Sequence, residues 1–135
     1  MGGSTGLKLL LDTHIWLWLA LEPMRLGQRV QNELSNPENE KWLSPLSSWE
    51  ALLLHRKGRI KLEGDSVAWV SEARNRFLQA PLTHDIVLAA ERLPLDSKDP
   101  ADRFLAATAY VLDLTLVTAD QNLLGLGEIS TLANR

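Results

Sequence analysis

The 135-residue sequence contains no cysteine. That absence removes disulfides, zinc–thiolate sites and cysteine nucleophiles together, and favours a reducing cytoplasm while leaving the compartment open. An excess of positive charge is also missing: 14 Lys and Arg stand against 17 Asp and Glu, a formal net charge of -3. Bulk electrostatics therefore do not mark a polyanion binder, and any contact with nucleic acid must come from a local patch or a metal ion. No apolar stretch approaches the roughly 20 residues of a membrane span. Residues 1–6, Met-Gly-Gly-Ser-Thr-Gly, lack the charged and apolar regions of a signal peptide and read as a short flexible start. A soluble cytoplasmic protein with no membrane partner is expected. His14, His55 and His84 lack the mutual spacing of a metal cluster and read as ordinary residues.

What is present is apolar material, 45% of the residues, ample for one core, so residues 1–135 read as a single domain. The chain is organised around Leu7-Lys8-Leu9-Leu10-Leu11-Asp12-Thr13-His14. Apart from Lys8 this is an unbroken apolar run ending on a carboxylate, the pattern of a strand buried on both faces whose last residue emerges at the sheet rim. In open α/β sheets ligands and catalytic groups collect at that edge. Asp12 reads equally as the cap of a helix starting at Thr13.

Alternating strand and helix signals follow. Residues 15–21 form a short helix stopped by Glu22-Pro23, with Trp16 and Trp18 read as core in preference to a partner groove. Residues 27–34 are an amphipathic helix on Val30 and Leu34, and residues 41–44 a brief strand. Ser44-Pro45 opens a helix that Gly58 closes after Arg56 and Lys57. Residues 64–78 form a helix through Val67, Trp69, Val70, Ala73, Phe77 and Leu78. Residues 81–84 connect to a helix over 85–93 with Ile86, Leu88, Ala89 and Ala90 inside. Asp99-Pro100 with Asp102 is a strong helix start, Leu114-Thr115-Leu116-Val117 is a strand, and residues 128–132 hold a last edge strand. The alternation predicts a three-layer α/β/α sandwich with a mostly parallel central sheet.

Within that frame Asp120 repeats Asp12, a carboxylate just after an apolar strand. Glu50 sits in an apolar helix face, with Leu46, Leu53, Leu54 and Lys57 as its i−4, i+3, i+4 and i+7 neighbours. A carboxylate among leucines is costly unless paired, either with an arginine or with a metal shared with Asp12. Acids gathered at one edge repel each other, and a divalent cation resolves the repulsion. An oxygen-only donor set points to Mg²⁺ or Mn²⁺ and to phosphodiester hydrolysis by an activated water.

Four pieces in order carry a resemblance: Leu-Leu-Leu-Asp12-Thr-His; Ser-Ser-Trp-Glu50 followed by Lys57-Gly58-Arg59-Ile60; Asp99-Pro-Ala-Asp102-Arg-Phe-Leu-Ala-Ala; and Val-Thr118-Ala-Asp120. Spanning residues 9–120, they resemble the PIN-domain ribonucleases, specifically the VapC-like toxins of toxin–antitoxin pairs. The resemblance implies a PIN-like parallel-sheet fold and a metal-dependent endoribonuclease whose pocket is built from Asp12, Glu50, Asp102 and Asp120. It prefers Asp102 to Asp99, leaving Asp99 as a cap or outer ligand, and casts Thr13 and Thr118 as hydrogen-bonding supports. It also implies an antitoxin partner that fills the pocket, a structured RNA substrate and a homodimer.

The basic run containing Arg56, Lys57, Arg59 and Lys61 is a candidate RNA contact, and equally a solvated helix end. A haloacid-dehalogenase-like phosphatase is the rival enzyme, but needs an Asp where His14 stands. A receiver domain lacks its phosphoacceptor Asp and late Lys here. The non-catalytic rival is an α/β binding module whose acids are only helix caps.

Overall fold

The computed structural model describes residues 6–135, so five of the six residues read as a flexible start lie outside it. The sixth, Gly6, is half-buried, and a Cβ there would collide with the Glu38 carbonyl.

Strand β1 (Lys8–Leu11) is the centre of the sheet, and its three leucines are fully buried. Because side chains alternate along a strand, Leu9 and Leu11 enter one core and Leu10 the other. The chain then makes α1 (Thr13–Leu21), α2 (Gln28–Ser35), β2 (Glu40–Leu43), α3 (Pro45–Arg56), α4 (Ser66–Ala73) and β3 (Leu78–Gln79). It continues through α5 (His84–Arg92), α6 (Pro100–Leu112), β4 (Thr115–Thr118), α7 (Gln121–Leu124) and β5 (Ser130–Ala133). The sheet order is β3-β2-β1-β4-β5, and every recorded pairing is parallel. Helices α1 to α4 pack on the Leu9/Leu11 face and α5 to α7 on the Leu10 face, giving the expected three layers. Among the described residues no helix is long and apolar enough to cross a membrane.

From β1 the strands progress outward through β2 and β3, whereas β4 returns to the other side of β1 and leads on to β5. The connections leaving β1 and β4 diverge, which opens a crevice at their carboxyl ends. The position of Asp12 and Asp120 follows from this reversal.

Several local expectations change. The apolar period of residues 64–78 does not mark one helix: α4 ends at Ala73, a 3₁₀ turn covers Arg74–Arg76, and Leu78 pairs with Trp42 in a two-residue strand. So short a strand has no readable period, and sheet pairing overrides the helical pattern. Trp16 is core, but Trp18 is only half-buried and its ring lies under the Arg25 guanidinium, 4.4 Å from the ring centre. Leu88 is 65% exposed, because Ile86 and Ala90 define the buried face of α5 and a residue two positions from each points outward. The last strand falls at 130–133 instead of 128–132.

Candidate active site

The β1–β4 ladder extends one residue past β1: the Asp12 amide donates to the Val117 carbonyl at 3.0 Å, which draws Asp12 into the sheet rim. Its carboxylate makes no cap bond to α1. Instead the buried Thr118 hydroxyl donates to Asp12 Oδ2 at 2.7 Å. The same hydroxyl accepts from the Asp120 amide at 3.0 Å, so one threonine ties the two strand ends together. Burial pushes the Asp12 carboxyl above its usual range, against the Thr118 bond, which holds it down. The helix-cap account of Asp12 therefore fails.

Glu50 reaches the same crevice from α3, whose start is set by Ser44 accepting from the Leu46 amide and by Pro45 in the first turn. The fully buried positions of α3 are Ser47 and Ala51, with Leu46, Leu53 and Leu54 half-buried around Glu50, so the carboxylate borders the apolar face. The Thr13 hydroxyl donates to Glu50 Oε1 at 2.5 Å and shares a 2.8 Å bond with the Ser47 hydroxyl. Among the described residues the one ion pair is Arg25 with Glu22, so no arginine neutralises Glu50. Burial raises its pKa first, and the charges of Asp99 and Asp12 add to the shift.

The third group comes from the start of α6. Asp99 is exposed and caps the helix, its Oδ1 accepting from the Ala101 amide at 3.0 Å. Asp102, in the first turn, accepts from the Ser97 hydroxyl at 2.9 Å. Its pKa is pushed up to about 6, by burial first and then by the charges of Asp99, Asp120 and Asp12. Asp120 caps α7, with Oδ1 accepting from the amides of Asn122 and Leu123 at 2.8 and 3.4 Å.

These side chains line one cavity of about 270 Å³: Asp12, Glu50, Asp99, Asp102 and Asp120, with His14, Trp18 and Ala119. No Lys or Arg is among the lining residues. Thr13 and Thr118 sit behind the acids as hydroxyl donors. Of the basic run, none lines this cavity: Arg59 borders an adjoining one, Arg56 lies over the Trp49 ring at 5.5 Å, and Lys57 and Lys61 are exposed. Among the described residues no three acidic or histidine side chains converge as tightly as a bound ion needs. The carboxylates rest instead on hydroxyls and amides. As donors they fit a hard divalent cation: all oxygen, anionic, crowded, and with no Lys or Arg in the lining to neutralise them.

Four contributors escaped the sequence reading. His14, taken as ordinary, lines the cavity, and so does Trp18, taken as core. Ser97 accepts from the Asp99 amide at 3.2 Å as well as donating to Asp102. Arg103 gathers the carbonyls of Ala90, Leu95 and Leu93 at 2.6, 2.7 and 3.1 Å, fastening the end of α5 and the segment leading to Ser97. A serine two residues ahead of a helix-capping aspartate was the available signal for Ser97; nothing local pointed to Arg103.

A PIN-domain family model matches residues 9–128. Ribonuclease VapC22 of Mycobacterium tuberculosis is 30% identical over 115 residues, covering 84% of this chain and 88% of that protein. Solved structures share the fold at low identity, two of them as follows. The DNA-bound VapBC of Salmonella typhimurium gives a TM-score of 0.73 at 14% identity, covering 96% of this chain and 99% of that one. VapBC2 of Rickettsia felis, bound to a DNA fragment from its promoter, gives 0.72 at 16%, covering 94% and 98%.

Proposed function

The chain belongs to the PIN-domain family, and from that premise we propose that it is a Mg²⁺- or Mn²⁺-dependent endoribonuclease acting as the toxin of a toxin–antitoxin pair. The observation that carries this reading is the single cavity where five carboxylates meet at the β1/β4 crevice with no Lys or Arg among its lining. Caps alone do not explain it, because Asp12 and Glu50 cap nothing and yet are drawn out of water.

Asp12, Asp102, Asp120 and Glu50 would hold the ion, with Asp99 at the outer edge. A bound divalent cation supplies charge neutralisation at a substrate phosphate and a more acidic water. The chain's own groups do the rest. Thr118 fixes Asp12 relative to Asp120, while Thr13 and Ser47 fix Glu50. Burial disfavours the ionised Glu50 carboxylate in the metal-free site, so a bound cation would relieve that cost. The exposed cations Arg56, Lys57, Arg59 and Lys61 form the approach for an RNA backbone in the cytoplasm.

The decisive experiment maps the 5′ ends of RNA cut by the purified chain with Mg²⁺ or Mn²⁺, beside Asp12→Asn. Cleavage is expected to fall at least about a hundredfold in the variant while its fold persists. Equal cutting by both preparations would reject the assignment. The proposed partners are an antitoxin and a second copy of the chain. The antitoxin reaches a basic side chain, best an arginine, between the carboxylates and so competes with the cation. Its affinity then weakens as Mg²⁺ is raised at constant ionic strength, and a calorimetric titration indifferent to Mg²⁺ would place inhibition elsewhere.

A further inference from the structure

Beside the acid cavity lies a second one, of about 390 Å³, and the two share His14 and Trp18 as common walls. Its chemistry is different. One wall is a stripe of α1, where His14, Leu17, Trp18 and Leu21 recur at i, i+3, i+4 and i+7. Opposite it stand Leu54 of α3 and the turn after that helix. Gly58, at φ +74°, reverses the chain, and the Arg59 amide returns to the Leu54 carbonyl at 2.9 Å, which sets Arg59 and Ile60 against the cavity. Arg25 and Glu22 complete the rim, the guanidinium 4.4 Å from the centre of the Trp18 ring and 3.5 Å from the Glu22 carboxylate in an exposed ion pair. A carboxylate-lined chamber thus stands beside one with an indole wall, aliphatic sides, two exposed arginines and one carboxylate, Glu22.

We propose that this second cavity is a nucleobase subsite: a single-stranded RNA lays the base next to the cut phosphodiester against Trp18, while Arg25 and Arg59 hold the adjoining phosphate. The inference rests on the ribonuclease reading of the acid cavity and adds to it where the substrate lies. Single-stranded nucleic acid alternates a flat apolar base with an anionic link, and proteins meet that alternation with an aromatic platform flanked by cations. Here platform and cations stand one wall away from the acids. The volume falls within the range of small-ligand sites. The charge pattern also separates two occupants: with Glu22 set against both Arg25 and Arg59 the rim keeps an excess of positive charge that draws a phosphate, whereas a basic peptide arm is drawn to the acid cavity.

The test uses Asp12→Asn protein, so that RNA is bound without being cut, and a short single-stranded oligonucleotide spanning the mapped cleavage site. An abasic nucleotide is placed at each position flanking that site, and binding is read by fluorescence anisotropy with Trp18 and with Trp18→Ala. Loss of one particular base is expected to weaken binding by about 5- to 100-fold. Trp18→Ala should show the same loss with the intact oligonucleotide, and the two changes together should cost no more than either alone. Trp18→Phe should recover most of the affinity, separating stacking from damage to the fold. Additive losses, or unchanged RNA binding by Trp18→Ala, would overturn the subsite. If Trp18→Ala binds RNA normally but loosens the antitoxin, the cavity belongs to the protein partner and the subsite is likewise rejected. A wild-type chain that cuts no RNA fails at the earlier step, which identifies the ribonuclease reading as the one at fault.

Discussion

On one wall of the acid cavity Asp12 and Glu50 are held by side-chain hydroxyls, those of Thr118 and Thr13. On the other, Asp99 and Asp120 are held by main-chain amides at the first turns of α6 and α7. Asp102 lies between these cases, standing in a helix first turn but bonded to the Ser97 hydroxyl. The difference separates two kinds of acid. An aspartate that accepts from helix amides helps the chain fold, and its presence needs no further reason. A carboxylate drawn out of water and held chiefly by a hydroxyl costs stability and does no such work, so its reason must lie in what the cavity binds. By that measure Asp12 and Glu50 are the most informative residues of the site.

The contrast can be broken first at its support. Arg103 fastens the end of α5 and the segment carrying Ser97 through the carbonyls of Ala90, Glu91, Leu93 and Leu95, so Arg103→Met should remove those bonds and cost about 2–4 kcal/mol in urea unfolding. Because Ser97 then loses its fixed position, Mn²⁺ affinity should fall as well, whereas Ser97→Ala should lower that affinity with little change in stability. An unaltered unfolding midpoint in Arg103→Met would show that the segment is held by other contacts. The next change sharpens the contrast within one residue. Asp120→Ala removes both a cap and a charge and should cost about 1 kcal/mol, while Asp120→Asn keeps the capping oxygen and should be nearly neutral. Both should weaken Mn²⁺ binding in calorimetry. If Asn destabilises as much as Ala, the cap does not depend on the side-chain oxygen as described.

Which parts were readable in advance follows from the distance over which each is specified. The leucine run before Asp12 and the Asp99-Pro100-Ala101-Asp102 start are local patterns, and both elements form where expected. The parallel sandwich follows from strand and helix alternation, and with it the meeting of Asp12 and Asp120 at one edge. The hydroxyl supports are another matter: Thr118 and Asp12 lie 106 residues apart, and Thr13 and Glu50 are 37 apart. Only the family resemblance singled out Thr13 and Thr118. Trp18 could not be told from Trp16, since both sit in an apolar run whose buried side is set by neighbours from distant helices. Arg103 works through an irregular segment whose path no periodicity describes. The two-residue strand at Leu78 was unreadable for a related reason, being shorter than any period.

The smallest expected effect tests the contrast through protons. Without metal, the carboxyls of Asp12, Glu50 and Asp102 have pKa values raised above their ordinary 3.8, 4.5 and 3.8. Between the ordinary value and the raised one, the folded chain binds more protons than the unfolded chain. Stability therefore falls as pH rises through that window, and below it the three groups make no difference. For Asp102 the window runs from 3.8 to about 6, and the full penalty remains at higher pH. In a chelator, the thermal midpoint should decline as pH rises above the ordinary carboxyl range, through about 6 for Asp102. Asp102→Asn should flatten part of the decline, and Asp12→Asn another part, since its neutral amide is spared the cost of a buried charge. Saturating Mg²⁺ should lift the midpoint most at the upper end, where the carboxylates are ionised. Asp99→Asn is the control from the other wall: its carboxylate is exposed, so its removal should relieve only the part of the shift that its charge imposes on Glu50 and Asp102. If Asp99→Asn flattened the profile as much as Asp12→Asn, burial would not be what sets the hydroxyl-held acids apart, and the distinction between the two walls would fall.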